Sequence, residues 1–324
     1  AAPTREKLLA AVHATPHDDG PRAVFADVLL EAGDPRGELI VLQLQRHHGE
    51  GTPGTARREH KLLKQLGSAC YDGLDLDGAN AIVVERGFPI SATLAVSGEL
   101  RSPAWATIEA LTLSDGAVFG GSPHLRALRR LYNLASRDLL GGELPSYDLE
   151  LLAVAGYDHG LGVPTRYAPR TLGLAQPRDL GAMLACIREL GRLPIGRRVE
   201  TVRLGHGIRE LPAITRFLTT GTAHPAIELG GGSRLDLPTD WTARVTPQEL
   251  RLAWWGCTPW SDIAFETIYP VVRELGRAPF ESLVVSGIDH PATSKVRDAL
   301  RREVAHWPAL RNASIFGVHE SAGN

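Results

Sequence analysis

Two hydrophobic periods divide the chain. From residue 5 to residue 66 apolar residues recur at helical spacing, and beyond residue 105 they alternate as in strands. Arg5 to Ala14 gathers Leu8, Leu9 and Val12 on one side. Thr15 to Pro21 breaks that pattern, with Pro21 suited to a first helical position and Asp19 or Gly20 to its cap. Pro21 to Ala32 carries a stripe of Val24, Phe25, Val28 and Leu29, and Gly33 supplies the left-handed stop. Asp34-Pro35 opens a third helix through Leu39, Ile40, Leu42 and Leu44. Gly49 to Gly54 is a loop, and Ala56 to Leu66 a charged fourth helix with Leu62, Leu63 and Leu66. Residues 81–94 then read as two short extended runs around a glycine turn.

From about residue 105 one unit repeats: apolar, two residues, apolar, one residue, apolar. Its copies are Ile108-x-x-Leu111-x-Leu113, Leu149-x-x-Leu152-x-Val154, Val199-x-x-Val202-x-Leu204, Phe280-x-x-Leu283-x-Val285 and Leu310-x-x-Ala313-x-Ile315. Shorter copies are Leu172-x-Leu174 after Pro169 and Leu250-x-Leu252 after Pro247; the weakest are Leu128-x-x-Leu131 and Ile227-x-Leu229. The last apolar position recurs on average every ~25 residues. Helical patterns intervene at 179–193 and 261–276. Alternate residues of a strand share a face, so the fourth and sixth positions point together into a core that stacked units bury. The expected architecture is α/β: an irregular leucine-rich-repeat-like solenoid of parallel strands in sequence order. A small N-terminal helical domain and hairpin, residues 1–97, caps the solenoid of residues 98–324.

Composition narrows the kind of job. Of 324 residues, 43% are hydrophobic and 22% charged, the profile of a globular chain. Thirty-five basic and 37 acidic residues nearly cancel, which argues against a dedicated nucleic-acid or anionic-membrane binder. No apolar run is long enough to span a bilayer, and the first residues lack the apolar core of a signal peptide, so a cytoplasmic location is expected. The three cysteines, Cys70, Cys186 and Cys257, are far apart and form no CxxC pair, which suits reduced buried thiols.

The run from His17 to Ile40 contains Asp18-Asp19-Gly20-Pro21-Arg22, Phe25-Ala26-Asp27-Val28-Leu29 and Gly33-Asp34-Pro35-Arg36-Gly37-Glu38-Leu39-Ile40. It closely resembles the repeat-companion domain of bacterial proteins, in which a short helical domain precedes degenerate leucine-rich-type repeats. Phe25 stands where that family often has Tyr, and Val28 where it often has Trp. Arg86-Gly87-Phe88-Pro89 is similar to the family's hairpin. Residues 105–318 resemble leucine-rich repeats. The Asn or Cys that closes each turn in that family is replaced by Gly116, Tyr157, Gly207, Trp255, Ile288 and Val318. The resemblance implies a modular interaction protein and carries no catalytic residue with it.

Catalytic motifs are absent: no GxSxG, P-loop, HExxH or dinucleotide fingerprint occurs. Gly230-Gly231-Gly232-Ser233 lacks the Lys-Ser/Thr of a phosphate cradle and reads as a turn. His47-His48, His60 and Asp158-His159 have no paired ligand spacing, so no metal or cofactor is expected. Asp18-Asp19 reads as capping rather than cation binding, and Asp27 as an ion-pair partner of Arg22 or Arg36. In the cluster Trp254-Trp255…Trp260, an exposed ring at a strand exit would anchor an interface.

The expected function is therefore non-enzymatic: a scaffold or recognition subunit of a bacterial cytoplasmic assembly, binding a protein partner on the concave sheet. Glu150, Arg170, Arg203, Glu249, Arg251, Glu281 and Trp254 are the candidate contact residues. Two alternatives stand beside it: an enzyme with an unrecognised site at the domain junction, and a regulatory subunit of a protease or NTPase effector.

Overall fold

The computed structural model describes residues 4–74, 79–95, 100–114, 119–135, 148–155, 169–174, 184, 187, 188, 199–204, 211–219, 226–230, 241–246, 248–254, 273–275, 280–286, 293–315 and 318–321. The protein is mixed α/β, and its strands form an open sheet rather than a barrel. It divides into two compact units, residues 1–134 with 141–149, and residues 135–140 with 150–324. The expected boundary at 97/98 falls inside the first unit, because strand pairing crosses it.

The first unit begins with four helices: α1 (Arg5–Ala14), α2 (Asp19–Glu31), α3 (Pro35–His47) and α4 (Pro53–Leu66). Each start is set by a local cap. Thr4, Asp18, Asp34 and Thr52 accept hydrogen bonds from the backbone N–H groups of Lys7, Gly20, Arg36 and Thr55. The cap of α2 is thus Asp18, one residue before Asp19 and two before Gly20, the caps the sequence pattern offers, and Gly33 ends the helix at φ +72°. Phe25, Ala26, Leu29, Ile40, Leu44 and Phe88 form one core, and Leu39, Leu62 and Cys70 another. Val24 leaves the expected stripe: it is 49% exposed, and Leu30 is 44% exposed.

Strands β1 (Ala79–Glu85) and β2 (Phe88–Leu94) form an antiparallel hairpin. Its turn residues Arg86 and Gly87 have φ of +51° and +77°, as a two-residue type I′ turn demands. β2 then pairs in parallel with β3 (Ala110–Leu113), and β3 with β4 (Arg130–Ala135). The hairpin therefore covers the edge of the first repeat strand, which would otherwise present unpaired backbone groups.

In the second unit the order follows the sequence: β5 (Leu151–Ala155), β6 (Thr171–Leu174), β7 (Thr201–Leu204), β8 (Ala226–Gly230), β9 (Trp241–Val245), β10 (Glu249–Trp254), β11 (Ser282–Ser286), β12 (Asn312–Ile315) and β13 (Val318–Ser321). α5 (Leu211–Thr219) lies between β7 and β8, and α6 (Thr293–Val304) between β11 and β12. The repeat pattern locates the core: Leu152, Val154, Leu172, Leu174, Val202, Leu204, Leu250, Leu252, Leu283, Val285, Ala313 and Ile315 are all buried.

The strands are not all parallel, a correction to the expected stack. β9 is antiparallel to both β8 and β10, and β13 is antiparallel to β12. The reason is that β9 alternates like its neighbours, with Ala243 and Val245 buried, so a return strand fills the core as well as a parallel one. Of the helices expected at 179–193 and 261–276, residues 184, 187, 188 and 273–275 are described and helical. The remainder lie outside the described residues, as do Cys186, Cys257, Asp158, His159 and 231–233. Of the six turn positions, Gly116, Tyr157, Gly207, Trp255 and Ile288 also lie outside them, and Val318 opens β13.

Candidate functional site: one sheet face of the second unit

Backbone bonds and strand register place Glu150, Arg170, Arg203, Arg251 and Glu281 in two rows. Glu150 and Arg170 stand immediately before β5 and β6, with Glu200 before β7. They are linked by backbone bonds, since Thr171 N–H donates to the Glu150 carbonyl and Glu200 N–H to that of Arg170. Gln248, Glu281 and Arg311 repeat this arrangement, with Glu281 N–H donating to Gln248 and Arg311 N–H to Glu281. Adjacent strands lie about 4.8 Å apart, so each row is a short-pitched line of mixed charge. Arg311 Nε lies 3.9 Å from Glu281.

The second row crosses the middle of the strands. Gly173 is opposite Arg203, Arg203 opposite Glu228, Glu228 opposite Arg244, Arg244 opposite Arg251, Arg251 opposite Val284, and Val284 opposite Ser314. Two of the expected arginines are occupied. Arg203 donates to the Glu228 carboxylate at 3.0 and 3.2 Å. Arg251 lies 3.1 Å from Glu249, two residues away on the same face.

Arg244 was not foreseen. It is exposed, and no described residue bonds or pairs with it. It lies on β9, outside the repeat pattern, so only the alternation in Trp241-Thr242-Ala243-Arg244-Val245 could have signalled it. Arg170 is likewise exposed and without a described partner.

The face is uneven. Ala153, Gly173, Thr201 and Ala226 are buried along β5 to β8, whereas Arg244, Arg251 and Ser286 are exposed along β9 to β11. Trp254 closes β10 opposite Trp241. Its ring, together with Trp255 and Trp260, lies outside the described residues.

Chemically, the face offers guanidinium donors for carboxylates or backbone carbonyls, beside small hydroxyl and apolar side chains. Among the described residues, no three His, Cys, Asp or Glu side chains are placed to hold a metal ion. No described helix is long and apolar enough to cross a membrane.

The conspicuous run in the first unit serves its core instead. Arg36 is buried and donates to both Asp72 carboxylate oxygens and to the Gly87 carbonyl. Arg22 is fully buried and donates to the Pro16 and Asp18 carbonyls. The Arg22 and Arg36 guanidiniums lie 5.3 and 4.8 Å, respectively, from the Phe88 ring centre. Burial, reinforced by the nearby Arg86 cation, pulls the Arg22 pKa down to about 10, still charged at neutral pH. Asp27 pairs with neither arginine, contrary to expectation: it lies exposed on the outer side of α2. Gly37 is required because a Cβ would sit 2.7 Å from the Ala26 carbonyl oxygen and the Leu30 nitrogen of α2.

The histidines divide similarly. His47 and His48 rings meet edge to face, and His48 lies 3.4 Å from Asp19. His60 is exposed on α4. Buried Cys70 has its thiol pKa pushed up by desolvation.

No protein-family model matches the chain, and neither a curated protein nor a solved structure matches it.

Proposed function

We propose that this chain is a protein-binding scaffold or recognition subunit, with a leucine-rich-repeat-like solenoid following a domain of the repeat-companion type. The reading extends to a bacterial, cytoplasmic assembly and to a partner that is neither nucleic acid nor membrane. The observation that carries it is the register-aligned sheet face. Its residues form a row across the strands that includes exposed Arg244, and exposed Arg170 stands immediately before β6; both are without described partners. A rigid face needs little ordering on binding, which favours a large partner. Charge reversal tests the reading. Once a partner has been captured from the native host, Arg170→Glu with Arg244→Glu should weaken it by about tenfold or more and leave the melting temperature unchanged. Unchanged affinity would remove the function from this face.

A further inference from the structure

The helices of the first unit carry charges that their own fold does not use. On α2, Asp19 pairs with Arg86 and His48, and Arg22 is buried. That leaves Asp27 and Glu31, exposed and with no described partner. Half-exposed Val24 and Leu30 flank them. On α4, Arg58 pairs with Glu38, and Glu59 with Arg46. That leaves Arg57, Lys61 and Lys64, also exposed and with no described partner.

The two sets match in spacing. Asp27 and Glu31 are four residues apart, as are Arg57 and Lys61, which sets each pair about 6 Å apart along its helix. Lys64 extends the basic stripe, and the aliphatic stems of Arg57, Lys61 and Lys64 are suited to cover Val24 and Leu30. The stripes cannot meet within one chain. α3 lies between α2 and α4, holding α2 through Ile40, Leu44 and Gly37, and α4 through Leu39, Gln43 and Arg46.

We infer that the acidic–apolar face of α2 docks onto the basic face of α4 in a second copy of this chain. The two faces are different surfaces, so the contact is heterologous: each copy offers one of each, and association continues head to tail instead of closing as a twofold dimer. The patch is small and charged, so the contact is weak and salt-sensitive.

Sedimentation velocity on the full chain tests this. At roughly 0.02 M salt the screening length is about 20 Å, and at 0.5 M about 4 Å. The average mass should rise with protein concentration in the first buffer and stay monomeric in the second. Asp27→Asn with Glu31→Gln should weaken self-association by about tenfold or more, as should Arg57→Gln with Lys61→Gln and Lys64→Gln. An equimolar mixture of the two variants retains one acidic and one basic face, so it should form a one-to-one dimer and nothing larger. The inference is overturned by a parent chain that stays monomeric at low salt, by either variant associating like the parent, or by a mixture growing beyond a dimer. Parent association that ignores salt also overturns it, whatever the variants do.

Discussion

Replacing Asp72 by Asn isolates the buried charge pair that ties α3 to the segment between α4 and the hairpin. The Arg36 and Asp72 side chains are only 2% and 6% exposed, so water does not compensate for a lost partner. Asn fits the site: residue 72 has φ +52°, a left-handed conformation that Asn tolerates. The variant keeps one acceptor oxygen, the Gly87 carbonyl at 2.9 Å and the rings of Phe25 and Phe88 near the guanidinium, but no counter-charge. Breaking a buried pair from one side costs about 3–5 kcal/mol, and the retained acceptors place this case near 3. Native-state hydrogen exchange on α2 and α3 reads the loss in the first unit alone, as about a hundredfold fall in protection. Arg36→Met leaves Asp72 uncompensated and should cost a similar amount. The double variant should lose less than the sum by about 2 kcal/mol or more, because no buried charge remains. Protection within threefold of the parent in Asp72→Asn, or additive losses in the double variant, would refute the reasoning.

Gly87→Ala should cost about 3 kcal/mol by urea unfolding, since Gly87 sits at φ +77° and the new Cβ would lie 2.0 Å from Ile40 Cγ1. Adding Ile40→Ala removes the 2.0 Å contact but leaves the residue 40 Cβ at 3.1 Å and the backbone strain, so the penalty traced to Gly87 should shrink without vanishing. Burial lowers the His13 pKa, with the Arg36 and Arg22 cations adding to the effect and Asp72 opposing it, so the unfolded chain takes up its proton first. The stability His13 contributes is therefore complete above its unfolded pKa of about 6.5 and is lost as pH falls toward the folded value, by at most about 1.4 kcal/mol per pH unit. Urea midpoints at pH 7.5 and 5.5 should separate less in His13→Leu than in the parent; equal separations would remove His13 from the pH dependence.

What could be read from the sequence is what neighbouring residues decide. The helices of the first unit begin after Asp and Thr residues whose capping groups act within three residues, two of them with Pro at the first helical position. The repeat positions with described side chains are buried as the two-residue alternation requires, from Leu111 to Ile315. Alternation assigns a face but not a direction, which is why β9 and β13 read like their neighbours yet run the other way. Long-range packing decided the rest. Arg36 meets Asp72 and the Gly87 carbonyl across 36 and 51 residues, while Asp27, closer in sequence, is turned outward by the helix. The same holds on the sheet: Arg203 is an exposed-type residue in its own strand, and only the register with β8 gives it to Glu228 and leaves Arg244 free of any described partner. Local rules fix which side of an element faces the core; which charges meet is fixed only when the elements pack, because Coulomb and hydrogen-bond partners are chosen by distance in space.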